Sequence, residues 1–358
     1  MKDFIIAGAG LTGSIIAREL TNKGHTCLIT DKRHHTAGNI HSEPTNGIEV
    51  HTYGPHIFHT NSPHIWQYIN QYTTFNNYRH QVKAINNGKL YTLPFNLQTI
   101  YEITGNHNPQ EARQHLTIKH HPNPQNLEEQ ALTTLGTEIY ETLIKHYTIK
   151  QWGKHPTQLP ASIIKRIPIR NTFNDRYYNH QYEGIPTQGY TKMIQNIQTD
   201  IELQLDLTIT ETNWKNYGRH LIYTGPIDQY YNNHHGPLEY RSLKFQHTQH
   251  PYPYHQGCAQ INHCDMTKPY TRTIEHKHFT NTQTPHTIIT HEHPATVEET
   301  GEQYYPIEDQ TRLQLYNKYR AIPNPQVTFA GRLGTYKYYD MDQAIAAALK
   351  TAKQITEP

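Results

Sequence analysis

The sequence predicts an α/β fold in which a βαβ unit is joined to a small helical lobe and an antiparallel sheet. Three observations support this prediction. A strand, a glycine turn and a helix open the chain, a helical periodicity occupies its middle, and short Tyr, Thr and Ile segments broken by Pro and Gly follow. A chain of 358 residues also exceeds the size at which one hydrophobic core usually keeps growing, so we expect more than one lobe.

The amino-terminal segment predicts one βαβ unit of the Rossmann-like kind. An apolar run at residues 4–7 predicts a buried strand, a glycine turn follows it, and Ile16 and Leu20 recur at helical spacing. Gly24 is placed to end that helix, and a second apolar run then ends at Asp31. Strand, helix and strand therefore follow one another as a βαβ unit requires.

The glycine turn in this unit predicts a dinucleotide site. Glycines at these spacings let backbone N–H groups approach a pyrophosphate at the start of a helix, where the helix dipole favours an anion. Asp31 is placed to accept a hydrogen bond from the adenosine ribose. The alternative is a tight turn used only for packing. The residues expected at the dinucleotide are Gly8, Gly10, Leu11, Thr12, Gly13 and Asp31.

Two further segments indicate that the dinucleotide is FAD. A second small-residue turn ending at Gly38 follows Arg33, and this extension resembles flavoproteins. Taken in isolation, Arg33 is better explained as a solvated cation. Near the carboxyl end, a predicted strand ends at Gly331 and a helix begins near Asp340, whose alternative role is to cap that helix. A helix N-terminus beside the isoalloxazine would stabilise a reduced, anionic flavin. The other residues expected at FAD from these segments are Lys32, Asn39, Arg332 and Met341.

The rest of the chain predicts a helical lobe and a second sheet. Asn87-Gly88 between two strand-like runs predicts a hairpin with a type I′ turn, and residues 109–160 carry helical spacing. We expect three domains, an FAD-binding domain, a helical lobe and an antiparallel substrate domain. The FAD-binding domain is expected at 1–78, 188–240 and 309–358, and the helical lobe at 106–164. The substrate domain is expected at 79–105, 165–187 and 241–308.

Composition excludes several classes of protein. The formal net charge of +2 lacks the basic surface of a nucleic-acid-binding protein, so we expect no nucleic acid partner. Three cysteines without a CxxC pair favour neither disulfides nor a zinc site and fit a reducing cytoplasm. No apolar run is long enough for membrane insertion. The 28 histidines, including the pairs at 276 and 278 and at 291 and 293, are scattered, so we predict no metal site.

Several spaced motifs resemble bacterial UDP-galactopyranose mutases, and together they span the chain. Two of them are Tyr-Gly-Pro-His-Ile-Phe-His-Thr-Asn at 53–61 and Tyr-Thr-Ile-Lys-Gln-Trp-Gly at 147–153. The others lie at 93–97, 164–170, 223–228, 269–279, 304–306 and 336–341. Ala37 and Ala330 depart from the family, because each stands where its members usually carry glycine.

The resemblance implies an isomerase that interconverts UDP-galactopyranose and UDP-galactofuranose when its FAD is reduced. In that mechanism N5 of the flavin attacks the anomeric carbon and displaces UDP, the sugar ring opens and recloses, and UDP returns. It further implies cell wall or surface polysaccharide biosynthesis, a cytoplasmic location and a homodimer or higher homo-oligomer. The alternatives are a flavin oxidoreductase of the amine-oxidase type and a nucleotide-sugar binding protein without enzymatic activity.

The resemblance also implies the residues that bind substrate. Arg170, in a mobile loop, and Arg272 are expected to clamp the diphosphate, because guanidinium groups bind phosphate in a bidentate way. The alternatives are that Arg170 belongs to a solvated basic face with Lys165 and Arg166, and that Arg272 pairs with Glu275. Residues expected at the uracil, the sugar or the nucleotide are Tyr147, Trp152, Tyr182, Asn262, Tyr305 and Tyr338.

The last group implied by the resemblance lies at the flavin. His56 and His59 fall in a segment expected to pass the ring, where a backbone or imidazole donor near N5 or O4 would tune its protonation. Tyr338 and Asp340 are expected to contact both flavin and substrate. With Arg170, Arg272 and Tyr305, these residues form the expected catalytic set.

Overall fold

The computed structural model of the chain describes residues 1–108, 110–165, 167 and 169–357. Pro109, where the predicted helical segment begins, and Arg166 and Pro168, within the motif at 164–170, lie outside the described residues. The strands are β1 (Lys2–Ala7), β2 (Cys27–Thr30), β3 (Ser42–Thr45), β4 (Ile48–His51), β5 (Phe58–Thr60), β6 (Val82–Asn86), β7 (Lys89–Leu93), β8 (Tyr182–Gly184), β9 (Glu202–Gln204), β10 (Gly218–Tyr223), β11 (Tyr240–His250), β12 (Gln260–His263), β13 (Arg272–Glu275), β14 (Thr287–Ala295), β15 (Tyr305–Pro306) and β16 (Val327–Phe329).

The helices lie between and after these strands. They are α1 (Leu11–Asn22), α2 (Pro63–Ile69), α3 (Leu97–Thr104), α4 (Leu127–Thr134), α5 (Thr137–Ile139), α6 (Lys145–Trp152), α7 (Ser162–Lys165), α8 (Gly189–Ile197), α9 (Ile227–Tyr230), α10 (Val297–Thr300), α11 (Gln310–Arg320), α12 (Gly331–Gly334) and α13 (Met341–Thr356). Among the described residues, no helix combines the length and the apolar character that crossing a bilayer requires.

A five-stranded parallel sheet forms the first layer, in the order β16-β10-β1-β2-β9. β1 is buried from Phe4 to Ala7, where α1, α8 and α13 pack their apolar side chains onto one face of this sheet. Ile6, Ile15 and Ile345 in this core are fully buried. The predicted Rossmann-like α/β fold is confirmed.

A seven-stranded mixed sheet forms the second layer, in the order β15-β11-β14-β13-β12-β6-β7. Its pairs are antiparallel except β12 with β6. The hairpin of β6 and β7 is confirmed, with Asn87 at φ 50° and Gly88 at φ 78°, the left-handed conformations that its turn requires.

The segment 165–187 differs from its prediction. Its strand β8 pairs with β5 in a separate two-stranded sheet and does not join the seven-stranded one. Most of its described residues form an irregular loop, in which the side chains of Thr172 and Asn174 accept hydrogen bonds from nearby backbone N–H groups. The division of the chain into three domains stays a prediction.

The helical lobe is broken where the sequence predicts one continuous face. Gly136 adopts φ 85° after α4, and the chain then passes through α5, a π-helical turn at Tyr140–Ile144 and α6. Leu132, Leu135, Ile139 and Leu143 are nevertheless all buried in one cluster. π-helical turns often occur at functional sites, and this one carries side chains into the central cavity described below.

The His-Lys-His sequence at 276–278 is structural. Lys277 is 1% exposed, and its Nζ donates to the carbonyl oxygens of Pro253, Thr284 and His286 at 2.8, 2.9 and 3.2 Å. All three ammonium protons are thereby used, and two loops are tied to the sheet. Among the described residues, no group of three or more His, Cys, Asp or Glu side chains is arranged to hold a metal.

Replacing Lys277 by Met should lower the free energy of unfolding by at least about 2 kcal/mol, because three buried carbonyls lose a charged donor. Urea unfolding followed by fluorescence measures this loss. Lys350→Met, at an exposed position of α13, is the control and should change stability little. Equal effects of the two substitutions would show that the three carbonyl contacts contribute nothing.

Candidate functional site

One cavity of about 1180 Å³ connects the glycine turn after β1 with the mixed sheet and the helical lobe. It gathers nearly all of the residues that the sequence assigned to a site. Those that line it are Gly8, Gly10, Leu11, Thr12, Gly13, Asp31, Lys32, Arg33, Gly38, Asn39, His56, His59, Tyr147, Trp152, Asn262, Arg272, Tyr305, Gly331, Arg332, Tyr338, Asp340 and Met341. Their shared cavity supports the proposal of one site, while the individual roles stay predictions.

The glycine turn brings backbone donors to one end of the cavity. Gly10 is the N-cap of α1 and makes no side-chain cap, so the first N–H groups of the helix face the cavity. A Cβ at Gly13 would lie only 2.0 Å from the carbonyl oxygen of Gly8. Asp31 Oδ2 accepts the Ala9 N–H at 2.8 Å and holds the turn against the end of β2.

A second turn packs against the first. Gly10 and Ala37 form an isolated bridge, and a Cβ at Gly38 would lie 3.0 Å from the Cα of Gly10. Ala37 has φ 73°, the left-handed region that favours glycine, which accounts for the usual glycine at this position in the family. The carboxyl-terminal turn is also close, because a Cβ at Gly331 would lie 3.4 Å from Thr12 Oγ1.

Arg33 is a partner of the site rather than a solvated cation. Its guanidinium bonds Glu302 at 2.7 Å and Asn39 Oδ1 at 3.1 Å and lies 4.5 Å from the centre of the Tyr53 ring. Lys32 reaches the same Glu302 at 3.1 Å. Burial alone would raise the pKa of Glu302, but the two cations outweigh it and hold that pKa below its usual value.

Arg272 lies on the floor of the cavity in a buried ion pair. Its Nη1 is 3.3 Å from Oε1 of Glu292, which is 1% exposed, and its Nε donates to the Tyr147 hydroxyl at 2.9 Å. The alternative pairing with Glu275 is wrong, because Glu275 bonds His278 at 3.1 Å on the other side of the strand. Burial opposes the charge of Arg272, but Glu292 outweighs it and raises the pKa of the guanidinium.

Tyr305 and Tyr338 stack above this floor with ring centres 6.1 Å apart. The Arg332 guanidinium lies 5.7 Å from the Tyr305 ring centre and 6.0 Å from that of Tyr338. Burial raises the pKa of Tyr305 to about 12, so its phenol is a neutral hydrogen-bond donor at pH 7. A cation and two phenols thus face the space beside Arg272.

Asp340 and Met341 close the cavity at the start of α13. The Asp340 N–H donates to Gln343 Oε1 at 3.1 Å, so the helix cap is completed by Gln343. The Asp340 carboxylate and the first residues of α13 line the cavity next to α12. The expected helix beginning near Asp340 is confirmed.

The two histidines of the predicted flavin segment are neutral. His56 Nδ1 is 2.9 Å from the Gly54 carbonyl oxygen, which only accepts, so Nδ1 carries the proton and Nε2 is an acceptor. Burial and then Arg332 lower the pKa of His56 to about 4. In this tautomer Nε2 accepts a hydrogen bond and does not donate one, while the role of His56 beside the flavin stays a prediction. Burial also lowers the pKa of His59 to about 4, and its Nδ1 lies 2.6 Å from His180 Nδ1.

Two predicted substrate residues do not line the cavity. Tyr182 stacks on Trp66 with ring centres 5.1 Å apart, because β8 pairs with β5 at the outer edge of the site. Arg170 donates from Nη1 to the Asn174 carbonyl at 3.2 Å and bonds Asn179 with its other nitrogens, so it is held within its own loop. The assignment of Tyr182 is corrected to packing.

Several cavity residues were missed by sequence reasoning. Tyr177, Tyr178 and His180 line the cavity from the same loop as Arg170, and Glu292 on β14, the buried partner of Arg272, was missed as well. The loop carries no local periodicity, and Glu292 is far from Arg272 in sequence, so neither gave a signal. Asn262 was expected, and its Oδ1 accepts from Gln260 Nε2 at 2.8 Å on the cavity wall.

Comparison with known proteins agrees with this arrangement. A family model for UDP-galactopyranose mutase matches residues 142–338, and one for an NAD(P)-binding Rossmann-like domain matches residues 6–72. The chain is 41% identical to a probable UDP-galactopyranose mutase of Klebsiella pneumoniae, over 99% of this chain and 94% of that protein. It is 36% identical to a dTDP-fucopyranose mutase of Escherichia coli, over 99% and 98% of the two chains.

Solved structures share the fold. A crystal structure of reduced UDP-galactopyranose mutase superposes with a TM-score of 0.78 at 15% identity, covering 99% of this chain and 94% of that one. Wild-type putrescine oxidase bound to putrescine superposes with a TM-score of 0.60 at 12% identity, covering 100% and 99%. The fold and the cavity define a flavoprotein with a Rossmann-like domain. The chain belongs to the UDP-galactopyranose mutase family of FAD-dependent isomerases.

Gly13→Ala should abolish FAD retention, because its Cβ would lie 2.0 Å from the Gly8 carbonyl oxygen and force the turn apart. Flavin absorbance per mole of purified protein measures this, and we expect less than about a tenth of the wild-type content. Gly24→Ala is the control and should keep its FAD, since it places a side chain at a positive-φ residue but nothing lies within 4 Å of the added Cβ. Normal flavin content in Gly13→Ala would contradict the assignment of this turn.

Proposed function

We propose that this chain interconverts UDP-galactopyranose and UDP-galactofuranose while its FAD is reduced. The observation that supports this best is the placement of buried Arg272 and the pair Tyr305 and Tyr338 in the same cavity as the dinucleotide turn. A cation and phenols suit a diphosphate, and a flavoprotein oxidising a simple amine has no need of them. The name of the 41% identical relative agrees with this substrate.

The residues at the glycine turns fit FAD. Backbone N–H groups at the start of α1 would hold the pyrophosphate, Asp31 the ribose, and the segment from Gly331 to Met341 the flavin end. Asp31 Oδ1 also accepts the Arg33 N–H at 3.0 Å, so its carboxylate is fixed before any ligand binds. Bound and reduced, the flavin supplies a nucleophilic nitrogen for the anomeric carbon.

Arg272 is the group that we assign to the diphosphate. Its guanidinium has five N–H donors, of which the bonds to Tyr147 and Glu292 use two. The remaining donors are available to phosphate oxygens in a charge-assisted, bidentate bond. Because Glu292 keeps the guanidinium charged and in place, little side-chain entropy is lost when the substrate binds.

Arg170 reaches the same diphosphate in our proposal only after its loop moves. In the structure it is tied to Asn174 and Asn179, which belong to that loop, so the loop would have to carry Arg170 inward as a unit. Tyr305, Tyr338 and Arg332 then complete the phosphate side of the pocket. We assign the sugar to the space between these groups and His56.

The helical lobe holds the nucleobase in this proposal. Trp152 and Tyr147 supply aromatic surface, while Leu143 and Ile144 from the π-helical turn supply aliphatic surface. Aliphatic side chains also suit the methyl group of thymine. A dTDP-sugar mutase is therefore the second candidate, favoured by the 36% identical dTDP-fucopyranose mutase.

The cytoplasmic location, the homodimer or higher homo-oligomer and the part in cell wall or surface polysaccharide synthesis belong to the same proposal. They follow from the family resemblance and from the cysteine content. The reaction leaves the redox state of the substrate unchanged, so a reductant is needed only to keep the flavin active.

The test is an anaerobic assay of purified protein with UDP-galactofuranose, with and without dithionite, in which chromatography separates the two sugar isomers. We expect turnover by reduced protein and almost none by oxidised protein. dTDP-fucopyranose is assayed in parallel, and its faster turnover would overturn the substrate but keep the mutase class. Equal rates in both redox states, or steady oxygen consumption without a nucleotide sugar, would contradict the proposal.

A further inference from the structure

A chain of hydrogen bonds runs through the core behind His56. The His56 N–H donates to Nδ1 of His51 at 3.2 Å, and the His51 N–H donates to Nδ1 of His276 at 3.2 Å. His276 Nε2 lies 2.6 Å from Thr290 Oγ1, and that hydroxyl lies 2.6 Å from Nδ1 of His247. The chain therefore starts at His247 on β11, passes Thr290 on β14 in the same mixed sheet, and ends in the segment that faces the cavity.

Each ring in this chain has a fixed tautomer. A backbone N–H only donates, so Nδ1 of His51 and Nδ1 of His276 are both acceptors and their protons lie on Nε2. His276 therefore donates through Nε2 to Thr290, whose hydroxyl donates to His247. At the other end, His56 has the opposite tautomer, because its Nδ1 donates to the Gly54 carbonyl.

Burial keeps the chain neutral. His51 is 1% exposed and His276 is fully buried, and burial lowers the pKa of both imidazoles, to about 3 for His276. His51 stacks on Phe279 with ring centres 4.8 Å apart and planes 6° apart. Its Nε2 is buried and has no hydrogen-bond partner among the described residues, so only Nδ1 makes a polar contact.

The segment held by this chain has little freedom of its own. Gly54 has φ 90°, and a Cβ there would lie 3.1 Å from the Phe245 ring and 3.2 Å from Oε2 of Glu292. Pro55 fixes the next φ angle. The backbone bond from His56 to His51 is thus the contact that sets where the segment turns toward the cavity.

We propose that His51, supported by His276, is a positioning residue that fixes His56 as a neutral acceptor through Nε2. The expected effect of His51 on catalysis rests on the proposed function. An acceptor at this point faces an N–H or O–H donor, such as a sugar hydroxyl, and does not donate to a flavin acceptor. Neither His51 nor His276 touches the cavity, so their effect passes through the backbone of the 54–56 segment.

The test compares His51→Leu with His51→Asn in the full-length flavoprotein. Asn places a carboxamide oxygen near the position of Nδ1 and can accept the His56 N–H, whereas Leu cannot. In His51→Leu we expect kcat to fall at least about tenfold with a smaller change in KM, because a buried N–H loses its acceptor. In His51→Asn kcat should stay within about threefold of wild type. His34→Leu, at an exposed position, is the surface control.

A second readout does not depend on turnover. Nitrogen-15 NMR of histidine-labelled protein, with His56 assigned by the variant His56→Gln, reports which ring nitrogen carries the proton. We expect a protonated Nδ1 and an unprotonated Nε2 in wild type and His51→Asn, and a tautomer mixture in His51→Leu. Equal losses in the two His51 variants, or a protonated Nε2 on His56 in wild type, would overturn the inference. If the NMR shows the expected tautomer of His56 but the protein isomerises no nucleotide sugar, the proposed function is refuted and the positioning role of His51 stands.

Discussion

The register of β13 against β14 is the constraint on which the site depends. Arg272 lies directly opposite Glu292 in this antiparallel pair, so the strands themselves bring the buried cation and its carboxylate together. A shift by one residue would turn Arg272 to the opposite face of the sheet. Removing two charges from water costs several kcal/mol per ion, so this buried pair is weak evidence for stability, and we infer that it serves binding.

The cavity beside the Arg272–Glu292 pair is lined by residues from both sheets. The parallel sheet supplies the glycine turn, Asp31 and the start of α13, while the mixed sheet supplies Arg272 and Tyr305. The segment from β4 to β5 carries His56, and two of its contacts anchor it to the mixed sheet. Its Gly54 packs against Glu292, and its His51 reaches His276. The residues that we propose for cofactor and for substrate therefore meet where the two sheets line the same cavity.

Local features of this fold were predictable from sequence because their causes are local. The glycine turn, the Asn87-Gly88 hairpin and the terminal helix each follow from conformational preferences of a few adjacent residues. Motifs also located most cavity residues. The choice between Glu275 and Glu292 as the partner of Arg272 was not predictable, because it depends on strand register and on which face each side chain occupies.

The position of Tyr182 was also not predictable. Its place in a motif suggested a substrate residue, but the pairing of β8 with β5 places it away from the cavity. The tautomer of His56 likewise depends on the Gly54 carbonyl, a contact set by one left-handed residue. Ala37 adopts a similar conformation without being glycine, because the turn around it is held by Gly10 and Gly38. Position in space, and not residue type, decided each of these outcomes.

The affinity of the reduced Arg272→Lys flavoprotein for UDP tests the role of this guanidinium most directly. Lysine keeps the charge beside Glu292 but loses the planar fork, so titration calorimetry should show binding weakened at least about tenfold with flavin content unchanged. Arg312→Lys, at a surface ion pair, should bind as wild type does. An unchanged affinity in Arg272→Lys would contradict the claim that this buried guanidinium binds the diphosphate.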